Sequence, residues 1–247
     1  MSEQKKLKVI LLRHTLEPEE TIALAAKLCY SKSTISDLKE KISQKDQSDF
    51  IRKLMDMGHE SVLEHVSFTF GVEGVSRVLL AQLTRHRIAS FSVQSQRYVS
   101  YENGFGYIIP ESIIALGEEA VNKFSEQMNT LEKWYTDWQK LLGKGEKSNE
   151  DARFVLPNAC ATRLVMTMNA RELRHFFSLR CCERAQWEIR SLATQMLALC
   201  RETAPALFDD AGPSCLSGPC PEGSKSCGRM PEIREKFKNL KQITENK

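Results

Sequence analysis

The stretch Thr84-Arg85-His86-Arg87-Ile88-Ala89-Ser90-Phe91-Ser92-Val93-Gln94-Ser95-Gln96-Arg97-Tyr98 joins two kinds of sequence. Upstream, Val75–Arg87 reads as a helix, with Val75, Val78, Leu79 and Leu83 as its buried stripe. Gln82 and His86 continue along that side, and Arg85 follows Gln82 at i+3. Downstream, Ile88–Tyr101 is rich in Ser and Gln and reads as a loop or irregular strand. Arg85, Arg87 and Arg97 place three guanidinium groups, with a histidine and several hydroxyls, within thirteen residues. Such forks donate paired, charge-assisted hydrogen bonds to phosphates and carbonyl edges. Chemistry alone leaves two readings open: an anion pocket, or a solvated helix end whose cations complement the helix dipole.

Outward from this stretch, the patterns alternate between strand and helix. Lys8–Leu12 reads as a buried strand, Glu17–Tyr30 as a helix opened by Pro18, and Lys32–Gln47 as a loop or short helix. Asp49–Met57 is a helix stopped by Gly58, and His65–Val72 a strand. Ser112–Leu142 is a long helical region and Glu150–Leu156 a short helix. Cys160–Met168 alternates, with Thr162, Leu164, Met166 and Met168 on one face and Arg163 on the other. Asn169 is positioned to cap Ala170–Arg180, with Glu172 at the capping-box position, and Ala185–Thr203 is a further helix. No internal repeat is visible. Residues 1–211 read as one folded domain and 212–247 as an irregular, polar, Cys/Gly/Pro-containing tail.

Composition narrows the classes. A chain of 247 residues can bury a substantial core. Its 35 basic and 32 acidic residues leave a net charge of +3, without the strongly basic balance of a nucleic-acid binder. No apolar run reaches the roughly 20 residues that span a bilayer, and Val9–Leu12 is too short for a signal-peptide core. The expected compartment is the cytoplasm, where the eight cysteines stay reduced. Cys215, Cys220 and Cys227 do not match a zinc pattern, and Cys181-Cys182 would supply a fourth ligand only by a coincidence of the fold, so no metal is expected. Phe124, Trp134, Tyr135 and Trp138 read as core or subunit interface.

The spacing Arg-His-Arg, seven residues, Ser, one residue, Arg resembles the signature of the flavin-dependent thymidylate synthases. Gly58-His59-Glu60-Ser61 with Glu64-His65, and Ala185-Gln186-Trp187-Glu188-Ile189-Arg190, match in the expected order, so the resemblance covers about Val9 to Phe208. It implies an α+β fold with a mixed sheet flanked by helices, and methylation of dUMP to dTMP. Carbon would come from 5,10-methylenetetrahydrofolate and reducing equivalents from NADPH through bound FAD. It also implies a homotetramer with shared active sites; the low net charge and the lack of a spanning apolar run give the expectation of no nucleic-acid or membrane partner.

Carried onto this chain, the resemblance puts Ser61, Arg85, His86, Arg87, Ser178 and Arg180 at the flavin. Gln82, Arg85, Ser95, Gln96, Arg97, Arg163 and Arg190 would line the nucleotide, with Arg190 and His59 in catalytic roles. Arg190 suits the uracil because a fixed cation stabilises negative charge developing at N3 and O4. Gln186 lies one turn earlier and is expected to face the same pocket. Ser95 is read as a hydrogen-bond donor to the nucleotide, since no local base stands ready to make it a nucleophile. The chain departs from the family pattern at Ser92 and Val93, where an Asn and an acidic residue are usual, and at Ser178, where an amide is expected.

Overall fold

The computed structural model describes residues 2–143 and 145–240, so residues 241–247 of the expected tail lie outside the described residues. Its strands are β1 (Glu3–Gln4), β2 (Lys8–His14), β3 (Ser67–Ser76), β4 (Ala89–Val93), β5 (Gly106–Tyr107) and β6 (Ala161–Asn169). Its helices are α1 (Pro18–Leu28), α2 (Ile35–Ser43), α3 (Ser48–Asp56), α4 (Arg77–Leu83), α5 (Glu111–Ile114) and α6 (Glu118–Leu142). They continue with α7 (Glu146–Ala152), α8 (Ala170–Arg180), α9 (Trp187–Thr203), α10 (Pro205–Phe208) and α11 (Met230–Lys238). The fold is α+β: a four-stranded sheet in the order β2-β3-β6-β4, a parallel β1–β5 pair, and flanking helices.

Strand β6 has the expected pattern: Thr162, Leu164, Met166 and Met168 are buried and Arg163 is exposed. Strand β2 forms as expected but is not buried, because it is a sheet edge; Ile10 and Leu12 are 42% and 38% exposed. Lys32–Gln47, left open between loop and helix, contains α2, where Thr34 Oγ1 accepts from the Asp37 amide at 3.2 Å. The long run Ser112–Leu142 breaks at Gly117, whose φ of +99° lies outside the helical region.

Helix α4 corrects the expectation that Arg85–Arg87 are helical. Ser76 Oγ starts it by accepting from the Leu79 amide at 3.1 Å, and Leu79 and Leu83 are buried. It stops at Leu83, where the Thr84 hydroxyl donates to Leu80 O at 3.0 Å. Val78, expected in the stripe, is exposed.

The chain divides into two compact units, Met1–Ile10 with Gly71–Arg85 and Phe91–Val165, and Leu11–Phe70 with His86–Ser90 and Met166–Lys247. In the first, Val121, Phe124, Met128, Leu131 and Tyr135 recur along α6 at alternating three- and four-residue steps and pack on Tyr101, Phe105 and Tyr107. The aromatic stripe therefore splits: Tyr135 is core, whereas Trp134 and Trp138 are exposed. In the second, Phe68, Phe177 and Phe208 meet edge-on. Beyond Gly212 the expected irregular tail is corrected: this unit includes α11, whose Ile233 and Phe237 are buried. The sequence reading passes over that i, i+4 pair because charged residues surround it.

Gly58 and Gly74 both have positive φ, +74° and +67°. A Cβ at Gly58 would meet nothing within 4 Å, but one at Gly74 would lie 1.9 Å from Lys6 O. Gly58→Ala should therefore cost about 1 kcal/mol, the strain of the left-handed region alone. Gly74→Ala should cost more than about 3 kcal/mol because backbone must also move. Urea unfolding of both variants checks this, and equal losses would contradict it.

Candidate active site

In the first unit, the second half of the motif is held by backbone and by acidic side chains. The Gln94 amide donates to Arg163 O at 3.0 Å, and Arg77 Nη2 donates to Gln94 O at 2.9 Å. Ser95 Oγ accepts from the Arg97 amide at 3.1 Å, closing the turn that follows β4. The Arg97 guanidinium lies 2.7 Å from Glu146 Oε1 and 3.0 Å from Glu150 Oε2, both on α7. Between them in sequence, buried Asn149 donates from Nδ2 to Arg97 O at 3.1 Å and accepts from Gln139 Nε2 at 2.6 Å. Gln96 Nε2 donates to Cys160 Sγ at 3.5 Å, and burial pushes the Cys160 thiol up to about 11. Gln82 is half-buried, while Arg85 and Arg163 are exposed.

In the second unit, His86 turns inward and its neighbour Arg87 outward. His86 is 6% exposed; its Nδ1 lies 3.0 Å from Glu172 Oε1, and Arg180 Nε donates to its Nε2 at 3.0 Å. Arginine can only donate, so Nε2 is the acceptor and the ring proton sits on Nδ1, pointing at the carboxylate. The Phe176 ring packs edge-on at 4.9 Å. Burial, reinforced by Arg180 and His175, holds the His86 pKa below its usual 6.5 against the opposing pull of Glu172. The Glu172 amide donates to Asn169 Oδ1 at 2.8 Å, so the expected cap is present, while the Glu172 carboxylate meets His86.

His59 and Ser61 are exposed at the start of the short 3-10 turn Glu60–His65. Ser178 Oγ donates to His175 O at 2.8 Å and borders a cavity of about 730 Å³ also lined by Asn169, Arg171, Arg174, His175 and Ser214. Arg190, in the first turn of α9, donates from Nη1 to Glu183 O at 2.8 Å and Ala185 O at 3.1 Å. Gln186 Oε1 accepts from the Glu188 and Ile189 amides at 3.0 and 3.1 Å. It is the cap of α9, which uses the oxygen expected to face the pocket. The Glu183 carboxylate is shared by Arg229 at 2.5 Å, Lys236 at 3.6 Å and Arg190 at 3.7 Å.

A second cavity, of about 590 Å³, is bordered by Cys182, Cys215, Cys220 and Cys227. The fold thus brings the tail cysteines and Cys182 around one space, although among the described residues no three metal-ligating side chains gather closely enough to hold an ion. All eight cysteines are unpaired.

The expected site residues divide between the units. Gln82, Arg85, Ser95, Gln96, Arg97 and Arg163 belong to the first; His59, Ser61, His86, Arg87, Ser178, Arg180 and Arg190 belong to the second. Sequence reasoning missed Arg77, Glu146, Asn149, Glu150 and Glu183. Glu146, Asn149 and Glu150 carry a legible signal, since i, i+3 and i+4 share a helix face. Glu183 carries none.

The family described as "Thymidylate synthase complementing protein" matches residues 10–206. The flavin-dependent thymidylate synthase of Geobacter sulfurreducens is 52% identical over 235 residues, covering 95% of this chain and 99% of that protein. That of Clostridium tetani is 48% identical, covering 93% and 96%. That of Pyrococcus horikoshii is 42% identical, covering 95% and 98%. With matches of this extent running through the Arg85–Arg97 motif, the chain belongs to the flavin-dependent thymidylate synthase family.

Proposed function

We propose that the chain methylates dUMP to dTMP, with 5,10-methylenetetrahydrofolate as carbon donor and NADPH as reductant through FAD. The observation that carries this reading is the anchoring of Arg190 by two neutral backbone carbonyls. Neutral acceptors fix a guanidinium without cancelling its charge, and the nearby Glu183 carboxylate, 3.7 Å away, is shared with Arg229 and Lys236, so Arg190 stays available to an electron-rich uracil. Gln82, Arg85, Ser95, Gln96, Arg97 and Arg163 are proposed to bind the nucleotide, and His59 to orient the reacting groups.

The donor set suits a flavin dinucleotide. Arg180 donates to an imidazole nitrogen, and the cavity beside Ser178 is lined by Arg171, Arg174, His175 and serine hydroxyls, which match phosphate and ribose oxygens; Glu64 and Asp210 line it too and pair with Arg171 and Arg174, each at 2.6 Å, so a phosphate there would exchange with them. Ser61, Arg85, His86, Arg87, Ser178 and Arg180 are the proposed FAD-binding residues, His86 acting through Arg180. Bound FAD supplies hydride transfer; the chain supplies position and electrostatics. Exposed Ile10 and Leu12 on β2, and Trp134 and Trp138 on α6, support association of copies into the homotetramer. Among the described residues no helix is long and apolar enough to cross a membrane, and the unpaired thiols fit a reducing cytoplasm.

Purified protein should show a flavin absorption spectrum and form dTMP only when dUMP, methylenetetrahydrofolate and NADPH are all supplied; colourless protein that takes up no FAD would overturn the reading. Arg190→Ala should lower kcat/KM for dUMP by about a hundredfold or more, the scale of one lost charge-stabilising donor, with flavin absorbance retained. Unchanged kinetics would mean that Arg190 lies outside the pocket. Replacing Glu146 and Glu150 together by Gln releases Arg97 and should tighten dUMP binding by about two- to fivefold, the scale of exposed ion pairs. Weaker binding, read by equilibrium titration, would instead assign the two carboxylates to holding Arg97 in its binding position.

A further inference from the structure

Strand β4 is a sheet edge with β6 as its one neighbour, and Ser95, Gln96 and Arg97 lie just beyond its end. An edge strand frays most readily where it leaves the sheet, because no second neighbour holds it. Here that exit is pinned. The Gln94 amide donates to Arg163 O at 3.0 Å, and the Gln94 carbonyl accepts from Arg77 Nη2 at 2.9 Å. Arg77 is the first residue of α4, and its own amide donates to Cys160 O at 3.2 Å, so its guanidinium reaches Gln94 from a fixed base. The loop is tied again further on: Gln96 Nε2 donates to Cys160 Sγ, and Asn149 Nδ2 donates to Arg97 O. All of these residues belong to the first unit.

For stability alone an arginine is poorly suited to position 77. Its Nε is buried without a hydrogen-bond partner among the described residues. The ionisable groups beside it, Cys160 and Tyr101, are neutral, because burial pushes the thiol up to about 11 and the phenol up to about 12. An orphaned donor on a charged group costs about as much as one charge-assisted bond returns, so the Gln94 contact does little more than offset the burial of the guanidinium. An unbranched apolar side chain would fill the space without either effect. What the arginine adds is a fixed position for the Gln94 carbonyl.

We propose that Arg77 is a positioning residue for nucleotide binding: by holding the Gln94 carbonyl it presets the turn of Ser95, Gln96 and Arg97 in the shape that receives dUMP. This rests on the proposed role of that turn at the nucleotide. It requires no contact between Arg77 and the substrate. A preset turn spares binding the cost of ordering it, so the effect falls on affinity.

The test is equilibrium titration of the flavin-loaded protein with dUMP, run as a double-mutant cycle. Arg77→Met keeps a long stem and removes the donor, and the Ser76 cap of α4 acts through the Leu79 amide and remains. Its dUMP dissociation constant should rise roughly tenfold, the scale of one hydrogen bond from a charged group. Its thermal midpoint and FAD content should match those of wild type, since the orphaned Nε goes with the lost bond. In an Arg97→Met background the same change should cost only about two- to threefold, because a main contact of the turn is already gone. Arg77→Lys keeps the charge and one N–H for the carbonyl, and should bind dUMP more tightly than Arg77→Met.

Unchanged dUMP affinity in Arg77→Met overturns the inference. An equal loss in both backgrounds overturns it too, since Arg77 would then act independently of the turn. A lowered thermal midpoint with FAD and dUMP binding lost together would make Arg77 a structural residue only. Where Arg77→Met does not fold, Arg77→Lys carries the same cycle: a rise of about threefold that disappears beside Arg97→Met supports the inference, and an unchanged or additive value overturns it. An Arg97→Met protein that binds dUMP as wild type does is a different failure: it removes the turn from the nucleotide site, and the inference falls with it.

Discussion

The burial of one imidazole organises the second unit around the motif. His86 follows the end of α4 by only three residues, and its two ring nitrogens are engaged by Glu172 and Arg180. A buried ring with both nitrogens satisfied avoids the cost of an orphaned polar atom. Continuing α4 through His86 would require the same backbone to follow helical geometry and bring the ring to α8. The tertiary hydrogen bonds win, and the local pattern that favoured four more helical residues loses. Exposure of Arg85 and Arg87 follows from the inward turn of the residue between them.

What was legible in the sequence was short-range. The alternation of Thr162, Leu164, Met166 and Met168 marks a strand with one buried face, and the structure has it. Asn169 announces a helix start, and its side chain caps Glu172. The edge position of β2 was not legible, because an apolar run does not reveal how many neighbours its strand will have. The partners of Arg97 and Arg190 were hidden for a related reason. Glu146 and Glu150 reach Arg97 from a helix far along the chain, and Arg190 is held by main-chain carbonyls that every residue possesses.

Half a signal can also mislead by fitting too well. Glu172 occupies the capping-box position after Asn169, and its amide does complete the first half of that motif. Its carboxylate instead serves His86. The local rule correctly placed the residue and missed its use. Ser95 offers the complementary lesson: its hydroxyl oxygen closes a turn with the Arg97 amide, so its spacing reflects the shape of the loop as much as any contact with a nucleotide.

The arginines of this chain differ most in what holds them. Arg180 donates to an imidazole nitrogen and Arg190 to two main-chain carbonyls, all neutral acceptors. Glu183, the carboxylate nearest Arg190, is shared with Arg229 and Lys236, so its charge is divided among three cations. Arg97 faces two carboxylates, and that local group carries net negative charge. At about 40% exposure those pairs are weak, since solvent screens them and ordering long side chains costs entropy. An anion approaching Arg97 must compete with those two carboxylates, a competition that the main-chain acceptors of Arg190 do not impose. Identical side chains thus differ in the charge that surrounds them, a distinction made by the acceptors around each guanidinium and invisible in the spacing of the arginines.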